Sequence, residues 1–163
     1  MSSGEIVEVR IKPYLKNYFI NQYGEEPIKA TTSNKLFPFL LQFLTYRPKN
    51  WKPPESRADN ILFELPYSEY VNVRSMNYIS PKHFSEISNF FYGKFWGDFI
   101  SYMNEKMFRK KWQQKYAIIR FMDDNNMDWN KTDMETLKKI YYRYLYQSGK
   151  KKKNAGKVDQ YRG

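Results

Sequence analysis

Hydrophobic and polar positions alternate over residues 5–12. Val7, Val9 and Ile11 fall on one side; Glu8, Arg10 and Lys12 fall on the other. A period of two predicts a half-buried strand. Pro13 then suits the start of a helix over 14–23, and Gly24 suits its end. Residues 25–32 read as a loop. Ser33 or Asn34 is placed to cap a second helix over 35–45, with Pro38 in its first turn, where a missing N–H costs least. Leu36, Phe39, Leu40, Phe43 and Leu44 give that helix a broad apolar face. Residues 47–60 hold Pro48, Pro53 and Pro54 and show no period, so they read as a stiffened connector.

Alternation returns at Ile61, Phe63 and Leu65, and again at Val71 and Val73. With Pro66 to Glu69 as the turn, these two runs predict a β-hairpin, and residues 5–12 supply a third antiparallel strand. Ser80-Pro81 marks a helix start, with the helix running over 81–106. Phe84, Ile87, Phe91, Phe95, Phe99, Tyr102 and Met103 recur along it at steps of three and four. Gly93 and Gly97 share one face, which would let another element approach closely. A helix over 112–124 follows, with Trp112, Tyr116, Ile119 and either Phe121 or Met122 turned inward. DDNNMDWNK reads as a turn. Thr132 and Glu135 match a capping box for a last helix over 133–147, with Met134, Leu137, Tyr141, Tyr144 and Leu145 as its apolar stripe and Gly149 at its end. The expected fold class is α+β: a small antiparallel three-stranded sheet with helices over 1–79, then an all-helical subdomain over 80–149 containing a helix-turn-helix-like pair. Residues 150–163 read as a disordered basic tail.

Charge changes this picture from fold to partner. Residues 1–80 carry ten Lys/Arg against eight Asp/Glu, about +2; residues 81–163 carry eighteen against nine, about +9. A basic half of this kind is the footprint expected of a protein that meets a polyanion. Lys138, Lys139, Tyr142, Arg143 and Tyr146 lie off the apolar stripe of the last helix. Lys and Arg neutralise phosphates, Arg can read a guanine edge bidentately, and Tyr can stack on a base. Arg109, Lys110, Lys111 and Lys115, near Lys106, form a second cluster, and Lys150, Lys151, Lys152 and Lys153 a third. The lysine run would raise affinity for any polyanion without sequence preference. The expected partner is nucleic acid, DNA ahead of RNA. The competing expectation is a structural or adaptor protein that meets a protein partner, or itself, through the aromatic-rich helix 81–106.

Candidate chemistry adds little. There is no cysteine, which removes disulfides and thiolate metal sites. The single histidine, His83, has no nucleophile or carboxylate partner recognisable in the sequence. There is neither a GxGxxG nor a P-loop. Asp123, Asp124 and Asp128 lack the Gly and terminal Glu of a calcium loop. The chain is therefore not expected to be an enzyme or to hold a metal or cofactor. The opening residues have no long apolar run, and residues 36–44 are too short and too interrupted to span a bilayer. A cytoplasmic protein without membrane contact is expected.

The segments AIIRFMDDNNMDWNKTDMETLKKIYYRYL and VRIKPYLKNYFINQYG resemble those of small basic proteins carried by phages and mobile elements of Bacteroidetes-type bacteria. The resemblance spans much of residues 7–146. It implies a DNA-related role in a bacterial or phage-infected cytoplasm and transfers no site residues.

Overall fold

The computed structural model describes residues 4–67, 72–127 and 130–154, with Lys131 and residues 150–154 in backbone only. It is an α+β protein whose chain divides into two compact units, residues 1–95 and 96–163.

In the first unit, β1 (Glu5–Arg10) buries Val7 and Val9, and Ile11 just beyond it, as the alternation requires. α1 (Pro13–Tyr23) opens on Pro13 and ends at Gly24, whose φ of 111° is glycine territory. β1 pairs antiparallel with β4 (Asn60–Leu65), from Glu5 opposite Leu65 to Arg10 opposite Asn60. The other edge of β4 is taken by β2 (Ile28–Lys29), which runs parallel to it. The sheet order is β1-β4-β2, and the sheet is mixed. Ile61, Phe63 and Leu65 are fully buried, and Leu62 nearly so. A strand covered on both faces is a central strand.

This corrects the expected antiparallel hairpin. With both edges of β4 occupied, no edge remains for Val71 and Val73. Val73 is buried in a turn closed by the Met76 N–H on the Asn72 carbonyl (2.8 Å); Val71 lies outside the described residues. The next strand is β5 (Met76–Ile79), which pairs antiparallel with β3 (Leu44–Tyr46) in a separate two-stranded sheet. β3 also shortens the expected second helix. α2 spans only Leu36–Leu41, because residues 44–46 find strand partners in residues 76–79. Asn34 does organise the α2 start: its Oδ1 accepts the N–H groups of Leu36 and Thr31, each at 3.0 Å.

Ionic groups tie the distant segments of this unit together. Lys16 Nζ donates to Ser56 Oγ and to the Arg57 carbonyl and pairs with Glu26 Oε1 at 2.9 Å. Glu26 in turn accepts Ser56 Oγ at 2.6 Å and the Leu62 N–H at 2.7 Å, on the central strand. The fully buried Asn60 donates to Glu8 Oε2 (2.7 Å) and accepts the Arg57 N–H (2.7 Å). Buried polar groups of this kind are tolerable only when satisfied.

A 3-10 turn (Pro81–His83) leads into α3 (Phe84–Asn104). Pro81 stands at the first helical position as expected, but Ser80 makes no side-chain cap. Ile87, Phe91, Phe95, Phe99 and Met103 are all fully buried, one stripe at steps of four. Within the first unit, Phe91 packs on Phe19 (4.9 Å) and Phe63 (5.8 Å), and Phe95 on Tyr14 and Tyr18. His83 lies 5.3 Å from the Phe43 ring, a packing contact. The Gly93 and Gly97 expectation fails: a Cβ at either position would meet open space, so nothing described approaches that face.

In the second unit, a π-helical turn (Glu105–Arg109) extends α3, and α4 (Gln114–Asp124) and α5 (Lys131–Asn154) follow. Phe99 packs edge-on against Phe121 at 5.0 Å and near Tyr141. α4 buries Ala117, Ile118, Phe121 and Met122, and Tyr116 is 47% exposed. The inward face is thus rotated from the one expected: Trp112 lies before the helix, which begins at Gln114, and residues 117, 118, 121 and 122 form the buried side of its turns.

Candidate nucleic-acid interface

The second unit collects most of the residues that charge patterning singled out. α5 starts two residues earlier than the expected box. Asn130, not Thr132, is its cap: Asn130 Oδ1 accepts the Asp133 N–H at 2.8 Å, and Asn130 Nδ2 donates back to Asp133 at 2.9 Å. The helix then buries Asp133, Leu137, Ile140 and Tyr141. At about 100° per residue, Lys138, Lys139, Tyr142, Arg143 and Tyr146 fall on the opposite side. All five are exposed, with Tyr142 at 66% and Tyr146 at 58%. The two rings stack at 6.4 Å, one turn apart. The two rings and the three cations thus share one exposed face of α5.

The inner face of α5 is fixed by a polar clamp. Tyr141 donates to Asn104 Oδ1 at 3.0 Å, and Asn104 Nδ2 donates to the Tyr144 hydroxyl at 2.9 Å. Burial pushes the Tyr141 phenol up to about 12, with Tyr144 adding to the rise. Tyr102 donates to Asp124 at 3.1 Å and is likewise raised to about 12, first by burial and then by Asp124. Asp124 also raises Arg120, 3.8 Å away. These phenols stay protonated near neutrality and act as hydrogen-bond donors that set the helix positions.

The second cluster is built by an irregular helix end. In the π-turn the Lys110 N–H reaches the Glu105 carbonyl at 3.2 Å, and Lys111 takes a left-handed φ of 59°. That conformation costs a non-glycine residue about 1–2 kcal/mol. It returns the Trp112 N–H to the Lys106 carbonyl at 2.9 Å. Lys106 then lies between two rings, 5.2 Å from Tyr102 and 4.9 Å from Trp112. Arg109, Lys110, Lys111 and Lys115 are exposed, beside Phe108 at 55% and Tyr116.

Few of these cations are spent on ion pairs. Among the described residues Lys110, Lys111, Lys115, Lys139 and Arg143 form none. Arg109 pairs with Glu105 and Lys138 with Glu135, both within one helical turn and well exposed. Lys150, Lys151, Lys152 and Lys153 belong to the last turns of α5, which runs through Gly149 rather than ending there; their side chains and residues 155–163 lie outside the described residues. Pattern reading missed three aromatic members of this surface, Trp112, Phe108 and Tyr116. For Trp112 and Tyr116 the signal present is interleaving with lysine: Lys111 directly precedes Trp112, and Lys115 directly precedes Tyr116.

No group of three or more metal-ligating side chains occurs among the described residues, and none of their helices is long and apolar enough to cross a membrane. Comparison with family models, curated proteins and solved structures gave no match.

Proposed function

We propose that the second unit is a nucleic-acid-binding module, DNA ahead of RNA, of an accessory or regulatory protein of a phage or mobile element. One observation carries the reading: the outer face of α5 combines three exposed cations with two exposed, mutually stacked tyrosines, on a helix whose other face is fully engaged. Cations neutralise phosphates, and exposed rings stack on bases; together they are the chemistry of a strand-binding surface. α4, which ends at Asp124, and α5, which begins at Lys131, act as the helix-turn-helix-like pair, with a longer connection than the roughly three to four residues of the compact motif. Arg109, Lys110, Lys111 and Lys115 form a second phosphate-contacting group on the same unit.

The test is binding to duplex and single-stranded DNA across a salt series. Each phosphate contact contributes about −0.9 to the log–log slope on a duplex and about −0.7 on a single strand. Lys139→Ala/Arg143→Ala should fold normally and bind more weakly with a flatter slope. If Arg143 reads a base, its loss should cost about 1–3 kcal/mol at one sequence position. A folded double variant that binds like wild type would remove α5 from the mechanism. The adaptor reading through helix 81–106 would then lead; it rests on the partly exposed Phe90 and Trp96 of α3.

A further inference from the structure

Within the first unit, a cleft of about 240 Å³ opens between β1, β5 and the connector, lined by Arg10, Trp51, Lys52, Asn77 and Tyr78 among others. This volume is below the roughly 300–1,000 Å³ of sites for drug-sized ligands, so the occupant is small or a single unit of a polymer. Asn77 is 1% exposed, and its Nδ2 is committed to the Arg74 carbonyl at 3.0 Å. Its Oδ1 is buried and accepts no hydrogen bond from the described residues. An acceptor left this way is costly, and being closed to solvent it is closed to an occupant of the cleft as well, so the exposed walls alone select the ligand.

The walls define the ligand. Trp51 offers an aromatic surface held in place by Arg47, whose guanidinium sits 3.7 Å over the ring while its Nη2 pairs with Glu5 at 2.6 Å. Tyr78 adds a second ring. The Glu8 carboxylate at the edge is already engaged by Asn60 (2.7 Å) and Arg57 (3.6 Å). Arg10 and Lys52 are exposed and make no ion pair among the described residues, so the free charge of the cleft is positive. A planar group joined to an anion meets both demands. We propose that this cleft binds one nucleotide: the base against Trp51 and Tyr78, the phosphate toward Arg10 and Lys52. The nucleotide is either free or one unpaired unit of a strand. The proposal stands on the first unit alone and does not depend on the α5 surface.

The experiment is NMR titration of the full chain with nucleoside 5′-monophosphates, following the Trp51 indole N–H and the Asn77 amide. The indole signal is assigned by its loss in Trp51→Phe. Saturable shifts of both signals are expected, and Arg10→Ala/Lys52→Ala should weaken the monophosphate about tenfold or more while leaving the dephosphorylated nucleoside unaffected. Shifts from the mononucleotide identify a free nucleotide as ligand. Shifts from a short oligonucleotide alone identify a strand. Trp51→Leu should lose affinity for nucleoside and monophosphate alike; should it fail to fold, the Arg10/Lys52 variant carries the test, since both side chains are exposed. Three results would overturn the proposal: no saturable shift from either probe, an equal response to inorganic phosphate, or a response to proline-rich or aromatic peptides in place of nucleotides.

Discussion

The two units use charge in opposite ways. In the first, ion pairs join segments far apart in sequence: Arg47 to Glu5, Arg57 to Glu8, and Lys16 to Glu26 with Ser56 and Arg57 around it. The Lys16 and Glu26 side chains are only 11% and 12% exposed. In the second, every ion pair of the described residues lies within one helical turn and in water, as with Arg120 and Asp124. Pairs of the second kind contribute about 0.2–0.5 kcal/mol, whereas breaking a buried pair costs several. The same charged residue types therefore serve as internal ties in one unit and as outward-facing surface in the other. Residues 96–163 carry sixteen Lys/Arg against eight Asp/Glu, about +8 net.

The comparison is broken most severely through the first unit's core. Phe63 is fully buried on the central strand and stacked on Phe91, so Phe63→Ala should cost about 3–5 kcal/mol in denaturant unfolding. A loss below about 1 kcal/mol would mean that β4 is not central. Lys16→Met tests the internal tie. It leaves the Glu26 carboxylate buried without its cation and should cost a comparable 3–5 kcal/mol. Adding Glu26→Gln should restore much of that loss, because the stranded charge is then gone. Failure of the second change to couple with the first would show that Lys16 acts through packing alone.

How much of this was legible in sequence follows the range of the interactions. The stripe from Ile87 to Met103 and the alternation of β1 are local patterns, and both stand in the structure. The exposed face of α5 follows from the same 3.6-residue period, which is why Lys138, Lys139, Tyr142, Arg143 and Tyr146 were placed together correctly. β3 is hidden because Leu44 continues the apolar spacing of α2; only pairing with residues 76–79 makes it extended, while Phe43 lies in the turn that closes α2. β2 is two residues long and exists because β4 offers an edge. Tyr116 fits an apolar pattern because its ring counts as apolar whichever way it points, yet it is 47% exposed. The cleft was invisible, since Arg10, Trp51 and Asn77 converge from three separate segments.

Alkaline titration sharpens the comparison within the second unit. Tyr102 and Tyr141 are raised from 10.0 to about 12 in the folded protein, chiefly by burial. Below about pH 10 both folded and unfolded chains hold these protons, and the tyrosines' contribution is complete. Between about 10 and 12 the unfolded chain ionises first, so stability should fall as pH rises. Tyr102→Phe and Tyr141→Phe should each make that fall shallower. The check is the difference in unfolding free energy between variant and wild type across this window. A difference that stays constant with pH would mean that the phenols titrate alike in both states.

The smallest stability effect is expected at the Lys138–Glu135 pair, and it is the most discriminating for the proposed function. The two side chains are 3.7 Å apart and each is 49% exposed. Their attraction competes with water and with the entropy of two long side chains, so Glu135→Ala should change unfolding free energy by no more than about 0.5 kcal/mol. Nucleic-acid binding should respond more strongly and in the favourable direction. The substitution removes a negative charge from the α5 face and frees Lys138 for a phosphate, so affinity at low salt should rise and the log–log salt slope should steepen by up to about 0.9 on duplex DNA. Glu26→Ala in the first unit makes the same change in net charge, but it strips Lys16 of its partner and should act on stability instead. If both variants alter binding equally, net charge alone governs affinity, and the face of α5 has no special place in it. If Glu135→Ala leaves both affinity and slope unchanged, Lys138 meets no phosphate, and the contact surface narrows to Lys139, Arg143 and the two tyrosines.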